Sequence, residues 1–337
     1  MMLVRPCRAE DLADIETVVN QNRSRISSLP HDRDKLSERI DHSIRSFEQD
    51  PEVAGQELFL LVLEDTDKGQ VVGTAGINMN RDKRRPFYNY RLDELIHSSP
   101  KLGVHTAVPV LYLTHELTGN TALSSFSIKE EYRQSEYFDL LARSRLLFMR
   151  QFRDMFSEQV VVEIQGVHGE NDASVFWDSL GRHFFDMDFA TADYYSGVKS
   201  RTFIAEMMPQ HPIYVPLLTQ AAQDVLGEAD PRTERTCKLL YKEGFKKSKY
   251  VDIFDGGPTL IADLERLQTV SQAQQKQVRC SDVHTGLRYL VANHSFDDFR
   301  CAIAQITDGI GDILRIDAAA ADFLRLQDGD SMSYAPL

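Results

Sequence analysis

The chain has 337 residues, 42% of them hydrophobic, which is more than one average domain needs. Its 51 acidic and 38 basic residues give a net charge of −13, which argues against nucleic acid and anionic membranes as partners. The sequence has no apolar stretch near the ~20 residues of a membrane-spanning helix, no signal-peptide pattern and no C-x-x-C pair. We therefore expect a cytoplasmic protein without a metal site.

The N-terminal part predicts the order β-α-α-β-β. A short strand at Leu3–Pro6 precedes two helices with apolar residues at helical spacing, Ala9–Asn20 and about Asp32–Gln49. Two strands follow, Leu58–Glu64 and Val71–Asn78, and the sequence DTDKG joins them as a turn.

The next part predicts two strands, the longest helix and a buried strand. The strands are Val108–Leu113 and Thr121–Ile128, and the helix is Tyr137–Phe156. The buried strand, Val160–Gln165, carries a single acid, Glu163.

Two later segments look alike. Ser174–Phe185 and Thr236–Lys246 are each predicted as a short helix that ends in a glycine, with an aromatic residue three positions after the glycine in the first segment and directly after it in the second. In both, the glycine is the predicted C-cap of the helix. The repetition indicates two related halves, at about residues 1–195 and 196–260. Between the two helices, Thr202–Met207 is predicted as a strand.

The stretch Tyr250–Leu260, YVDIFDGGPTL, begins with strand formers and then enters a tight turn at Asp255–Pro258. Such a turn can leave backbone N–H groups free to bind an anion, whereas Asp252 and Asp255 could bind a cation. The alternative is an ordinary turn at a strand end with solvated aspartates.

A domain boundary is predicted just after this stretch. Leu260–Gln277 is predicted as a helix that is amphipathic at first and then polar. The remaining chain has predicted strands at Tyr289–Ala292, at Phe299–Ile306 and in the closing GDSMSY. We therefore expect a large domain over residues 1–260 and a small β-rich unit over 261–337.

The predicted element order resembles the GNAT superfamily of acyl-CoA-dependent N-acyltransferases, which implies an α/β (α+β) fold with a mixed central sheet. Seven blocks also look like the arginine N-succinyltransferase family, with LTGNTALSSFSI most similar to its alpha subunit type. The blocks are VLEDTDKGQVVG, FYNYR, LTGN, FWDSLGRHFF, KSRTFIAEMMPQHPIYVPLL, AAQDVLGE and YVDIFDGGPTL. The resemblance implies transfer of a succinyl group from succinyl-CoA to the α-amine of arginine or ornithine in arginine catabolism.

The resemblance also implies where succinyl-CoA binds. Phe126 lies at the position of a main-chain contact to the acyl-CoA, and it would equally suit an ordinary central strand. The diphosphate is expected at the N-terminus of the long helix, where Arg133, Gln134 and Ser135 are polar. This turn has no glycine and is flanked by glutamates, which leaves open that a partner chain supplies the better site.

The family carries its proton-donating histidine at a position occupied here by Asp230. An aspartate with an ordinary pKa of about 3.9 is ionised at pH 7 and donates no proton unless burial raises its pKa. The alternative is that Asp230 caps a helix that Pro231 opens. His211 is the other candidate acid, and His183 and His168 are further titratable residues.

An arginine substrate has a guanidinium group, which favours carboxylates, and an α-carboxylate, which favours an arginine or a cluster of N–H groups. The candidates for the first are Glu163, Asp252 and Asp255; those for the second are Arg91, Arg201, Gly256 and Gly257.

Three functional interpretations stay open: an active succinyltransferase, a catalytically weak or inactive subunit that assembles with a competent paralogue, and an N-acyltransferase acting on another amine. Both a homo-oligomer and a hetero-oligomer with a paralogous subunit agree with the sequence.

Overall fold

The computed structural model describes residues 1–21, 29–79, 81, 86–169, 172–198, 206–282, 286–309 and 313–337. Among these residues the strands are β1 (Met2–Pro6), β2 (Leu58–Asp65), β3 (Gln70–Met79), β4 (Asn89–Ser99), β5 (Val104–Thr114), β6 (Thr121–Ile128), β7 (Gln159–Glu163), β8 (Ile213–Tyr214), β9 (Lys246–Val251), β10 (Pro258–Asp263), β11 (Gln274–Cys280), β12 (Leu287–Asn293), β13 (Cys301–Asp308), β14 (Ile313–Ile316) and β15 (Ser331–Pro336). The helices are α1 (Leu12–Gln21), α2 (Arg33–Phe47), α3 (Glu136–Gln151), α4 (Val175–Ser179), α5 (Arg182–Phe185), α6 (Phe189–Val198), α7 (Gln220–Val225), α8 (Glu234–Glu243), α9 (Gln268–Gln272) and α10 (Ala318–Leu324). The predicted mixed α/β class is confirmed. The strand predicted at Thr202–Met207 falls mostly on residues 199–205, outside the described part.

The residues form two compact units. Unit 1 contains residues 1–79, 121–158 and 263–337, and unit 2 contains residues 80–120 and 159–262. This grouping differs from the predicted division at residue 260. The residues after 262 join unit 1 rather than standing alone, because β13 pairs antiparallel with β1.

In unit 1 the strand order is β12-β15-β11-β14-β13-β1-β2-β3-β6. The strands β1, β2, β3 and β6 pair antiparallel in that order. Helix α3 follows β6, and its residues Phe138 and Leu140–Met149 are buried. A helix buried on all sides belongs to a core, so α3 is the central helix of unit 1. The predicted early order of elements, ending in a strand and the longest helix, is confirmed.

In unit 2 the strand order is β7-β10-β9-β4-β5-β8. Strands β4 and β5 form an antiparallel hairpin of two 11-residue strands. Only part of β5 was predicted from the sequence, and β4 was missed. Their outer parts are largely exposed, which removes the apolar alternation that indicates a strand.

Of the two predicted glycine C-caps, one is confirmed and one is wrong. Gly244 caps α8 with a φ of 113°, and the buried Phe245 precedes β9. Gly181 instead has the right-handed helical conformation between α4 and α5, where a Cβ would overlap the ring of Trp177. Asp186, with a φ of 48°, caps α5. The two segments therefore end differently, and this support for two related halves is lost.

The helix predicted at Leu260–Gln277 is also wrong. Its first residues belong to β10, which pairs antiparallel with β9. The five-residue helix α9 follows, and then β11 begins at Gln274. Strand pairing overrides the helical spacing of the apolar residues in this segment.

Candidate functional site

In unit 1, Phe126 lies on a β-bulge of β6. Ser125 and Phe126 together lie opposite the single residue Ala75 of β3. Ser125 has the left-handed φ of 53°, and its carbonyl accepts a hydrogen bond from Thr74 Oγ1 at 2.8 Å. A bulge redirects the main chain and its side chains, so the half-buried Phe126 lies where β6 departs from regular pairing.

The guanidinium group of Arg145, on α3, lies over the ring of Phe126. Its Cζ atom is 5.3 Å from the ring centroid, and Phe138 contacts the same ring edge-on at 4.9 Å. Arg145 is only 4% exposed. Its Nε donates to the carbonyl of Ala142 at 3.1 Å, and its Nη1 makes a long contact of 3.5 Å to the carbonyl of Gly76. Burial lowers the pKa of Arg145 to about 9.

The predicted diphosphate residues lie at the beginning of α3. Ser135 is the N-cap, and its Oγ accepts from the N–H of Tyr137 at 3.2 Å and donates to the carbonyl of Tyr132 at 2.7 Å. Gln134 is exposed, and Arg133 lies 3.2 Å from Glu130. The helix therefore already has a side-chain cap at the predicted anion site.

The negative charge of the glutamates that flank this turn is partly offset. Glu130 pairs with Arg133, and Glu136 pairs with Arg288 at 2.5 Å. Because these side chains are substantially exposed, each pair contributes little stability. The pairs do place two arginines next to the glutamates at this end of α3.

In unit 2, the turn after β9 uses its own N–H groups. Asp252 Oδ1 accepts from the N–H groups of Phe254 and Asp255, at 2.7 and 3.0 Å. The N–H of Gly256 donates to the carbonyl of Asp252 at 3.1 Å, and that of Gly257 to Asp255 Oδ1 at 2.8 Å. The expectation of free N–H groups is therefore wrong for residues 254–257. Whether Gly256 and Gly257 contact a substrate stays a separate prediction.

Asp255 connects this turn by a hydrogen bond to the segment that follows β7. Its Oδ2 accepts from the N–H of Gly166 at 2.8 Å. A Cβ on Gly257 would overlap the carbonyl oxygen of Ile164, and Gly256 has a left-handed φ of 69°. The two glycines thus allow a close main-chain approach and an unusual φ. The buried Asp255 is not the solvated aspartate of the alternative interpretation.

Asp230 is 4% exposed and forms an ion pair with Arg232. It is the N-cap of the short helix Pro231–Thr233 and accepts from the N–H of Arg232 at 2.8 Å. Arg232 Nε and Nη2 donate to its two oxygens at 2.9 and 3.0 Å, and Arg232 Nη1 donates to Asp172 at 2.9 Å. Burial alone would raise the pKa of Asp230, but the hydrogen bonds from Arg232 and from the N–H of His168, together with the charge of Arg232, hold the pKa below its usual range. The predicted helix cap is confirmed.

His168 is adjacent to this pair. Its N–H is 3.3 Å from Asp230 Oδ2, and its side chain is 1% exposed. Gln165 Nε2 donates to Nδ1 at 2.9 Å, so the ring proton of a neutral imidazole lies on Nε2, which is 3.5 Å from Asp255 Oδ2. The structure thus brings together His168, Asp230 and Asp255. The other two histidine candidates, His211 and His183, are exposed.

Glu163, at the end of β7, contacts a buried amide. Asn89 Nδ2 donates to Glu163 Oε1 at 2.8 Å. Asn89 Oδ1 is buried without a hydrogen-bond partner among the described residues. A carboxylate and an unpartnered amide oxygen therefore lie side by side, and both are acceptors suited to an ammonium or guanidinium group.

Sequence reasoning missed Arg145, Arg232 and Asn89. Arg145 had a signal, because it lies one helical turn after Leu141 and so on the apolar side of α3. Arg232 and Asn89 gave no such signal in the sequence, because their partners lie either in other segments of the chain or only two positions away. Arg201, a candidate for the α-carboxylate, lies outside the described residues.

Among the described residues no three His, Cys, Asp or Glu side chains are grouped as a metal site would require. The helices found there are all too short or too polar to cross a membrane.

Comparisons with known proteins identify the family. A family model described as arginine N-succinyltransferase beta subunit matches residues 2–269, and the model of its C-terminal domain matches residues 274–336. The chain therefore belongs to the arginine N-succinyltransferase family, as the sequence blocks indicated.

Individual relatives span the whole chain. Arginine N-succinyltransferase subunit alpha of Pseudomonas aeruginosa is 38% identical over 333 residues, which are 98% of this chain and 98% of that protein. An arginine N-succinyltransferase of Escherichia coli is 37% identical over 339 residues, covering 100% of this chain and 98% of that protein. The solved structure of arginine/ornithine succinyltransferase subunit AI from P. aeruginosa has a TM-score of 0.91 at 35% identity, covering 100% of this chain and 98% of that chain. The fold of this chain is thus the fold of that subunit.

Proposed function

We propose that this chain transfers the succinyl group of succinyl-CoA to the α-amine of arginine or ornithine. The observation that carries the proposal is the full-length match to proteins named for this activity, at 37–38% identity. The α3–β6 arrangement in unit 1, with its bulge at Phe126, agrees with an acyl-CoA contact there.

In the proposed reaction the neutral α-amine attacks the thioester carbon. A C–N bond forms, the C–S bond breaks, and CoA leaves as a thiolate that takes up a proton, while the amine loses one to a base. We assign the thioester contact to the main chain of Phe126, and the diphosphate contact to Arg133, Gln134 and Ser135.

For the amino-acid substrate we favour Glu163 over Asp252 and Asp255. Both aspartates already accept hydrogen bonds from backbone N–H groups of their own turn. Beside Glu163 lies Asn89 Oδ1, for which the described residues provide no hydrogen-bond partner, and this oxygen supplies a second acceptor for a cationic group.

The surroundings of Asp230 bear on its role as the proton donor. The ion pair with Arg232 favours the ionised form of Asp230, which suits a structural anion better than an acid. The exposed His211 stays the predicted alternative.

We also propose that the chain works in an oligomer, with further copies or with a paralogous subunit. The support is that similar proteins are named as subunits. The weak or inactive subunit that the sequence left open is not favoured, because the chain matches proteins named for this activity over their full length.

The decisive assay is the release of free CoA thiol from succinyl-CoA by the purified chain, with arginine, ornithine and an unrelated primary amine as acceptors. We expect arginine or ornithine to be preferred. Activity that appears only with an added paralogue would select the subunit interpretation. Thiol release only with the unrelated amine, or none under any condition, would refute the proposed function.

A further inference from the structure

Arg145 is a buried cation that has no counterion in the part of the chain that the structure describes. It is 4% exposed, and it forms no ion pair with a carboxylate among the described residues. The polar and ring contacts found there are two carbonyl groups and an aromatic ring. Burying a charge that no opposite charge compensates is costly. An anion from outside the chain that pairs with the guanidinium group would account for the burial of this charge.

The position of Arg145 suggests which anion this is. Its guanidinium group lies over the side chain of Phe126, the residue whose main chain we assign to the thioester. Ser125 beside it is held in a left-handed conformation at the bulge of β6. A group that extends from the thioester along the Phe126 side chain would meet the guanidinium group.

We propose that Arg145 binds the free carboxylate of the acyl chain and thereby selects acyl-CoA substrates that end in a carboxylate. The inference rests on the proposed function, because it takes succinyl-CoA as the acyl donor. It adds a specificity residue that no sequence block indicated.

The dimensions of the acyl group set how far from the thioester such a residue can lie. Three carbon–carbon bonds of about 1.5 Å each separate the thioester carbon of a succinyl group from its carboxylate carbon. A residue that recognises this carboxylate must therefore lie within a few ångströms of the thioester. A guanidinium group is well suited to the task, because its planar N–H donors match a carboxylate in pairs.

The competing explanation is a purely structural arginine that fills space between α3 and β6. A structural Arg145 would support binding of every acyl-CoA equally, whereas a carboxylate-binding Arg145 would discriminate between acyl chains. The two explanations therefore differ in a ratio of affinities.

The test compares succinyl-CoA with butyryl-CoA, which has the same chain length but no terminal charge. Affinities are measured by calorimetry on the full chain, so that the result does not depend on turnover. Wild type should bind succinyl-CoA more tightly than butyryl-CoA. Arg145→Gln should weaken succinyl-CoA binding by about 10- to 100-fold, the usual effect of losing a hydrogen bond to a charged group. Its affinity for butyryl-CoA should change by less than about 3-fold.

Arg143→Gln is the matched control. Arg143 lies on the same helix and is buried, but its Nε donates to Thr269 Oγ1 at 2.8 Å and its Nη2 to the carbonyl of Pro336 at 2.6 Å. Its replacement should lower the melting temperature and leave the preference for succinyl-CoA unchanged.

The melting temperature is a second readout, which distinguishes a loss of binding from misfolding of the variant. Arg145→Met removes the buried charge but keeps a long apolar side chain, so its melting temperature should equal or exceed that of wild type. Arg145→Lys keeps the charge and should keep part of the succinyl preference. If Arg145→Met does not fold, the ratio measured on Arg145→Gln and Arg145→Lys decides.

The outcomes separate the two proposals. If wild type prefers succinyl-CoA and Arg145→Gln retains that preference, or loses affinity for both ligands equally, Arg145 is structural and this inference is wrong while the proposed function stands. If wild type binds no acyl-CoA with or without a paralogue, the proposed function fails, and this inference fails with it.

Discussion

Replacing Asp230 distinguishes a structural anion from a catalytic acid. Asp230 accepts hydrogen bonds from the main-chain N–H, Nε and Nη2 of Arg232 and from the N–H of His168. Asp230→Asn keeps one acceptor oxygen but loses the charge. A hydrogen bond to a charged group contributes about 1.5–3 kcal/mol. Because the Arg232 side chain is 35% exposed, we take the lower end and expect Asp230→Asn to cost about 1–2 kcal/mol.

Asp230→Ala should cost more than Asp230→Asn. It also removes the N-cap of the short helix Pro231–Thr233, a loss of about 1 kcal/mol. The expected sum is about 2–3 kcal/mol. The free energies of unfolding are measured by urea titration at pH 7, and the thiol-release rate of each variant is measured alongside.

The effect of pH has a definite sign. The folded-state pKa of Asp230 lies below its ordinary value, so its contribution to stability is present above the unfolded-state pKa of about 4 and is lost as the pH falls through the folded-state pKa. The stability gap between wild type and Asp230→Asn should therefore shrink when the pH is lowered from 7 to below about 4. An unchanged stability together with a loss of the chemical rate of about 10²-fold or more would refute this reasoning and identify Asp230 as the acid.

Two further predictions concern unit 2. Gly257→Ala should destabilise the protein by more than about 2 kcal/mol, because the new Cβ overlaps the carbonyl of Ile164. The control is Gly329→Ala, whose Cβ has open space and which should cost only the strain of its φ of 91°. Equal unfolding free energies for the two variants would contradict the packing argument. Glu163→Gln should raise the KM for arginine about 10-fold or more and leave the KM for succinyl-CoA unchanged, because it removes the charge beside Asn89. An unchanged KM for arginine would show that Glu163 does not belong to the substrate site.

The elements with apolar periodicity were predictable, and those shaped by solvent or by pairing were not. Helix α3 and strand β2 are buried along most of their length, and their sequences are correspondingly apolar. Strand β4 carries exposed polar residues over most of its length, so nothing local distinguishes it from a loop. The segment Leu260–Gln277 has helical spacing, but its pairing with β9 is a tertiary effect that no local pattern reports.

The candidate site was predictable where a residue acts on its own neighbours. The cap at Asp230 follows from an aspartate directly before a proline, and the structure confirms it. The ion pair with Arg232 was not foreseen, because i, i+2 residues face each other only in a particular turn. The contact between Asn89 and Glu163 joins residues 74 positions apart, a distance that only the folded chain can reveal.

The Arg232 pair changes how the role of position 230 should be tested. The family resemblance places a histidine there, and Asp230→His is the direct way to restore it. In this chain the change would also remove the main acceptor of Arg232, which leaves Asp172 as its remaining carboxylate partner among the described residues. It would also place an imidazole against a cation that disfavours its protonation. A failure of Asp230→His to gain activity would therefore say little about the position.

The informative variant is Asp230→His combined with Arg232→Gln, which removes the competing charge. If the double variant raises the rate of thiol release above that of Arg232→Gln alone, a residue at position 230 can still donate a proton, and the ion pair with Arg232 is what prevents this donation. If succinyl-CoA binds to the double variant and the rate stays at that of Arg232→Gln, the proton comes from another group.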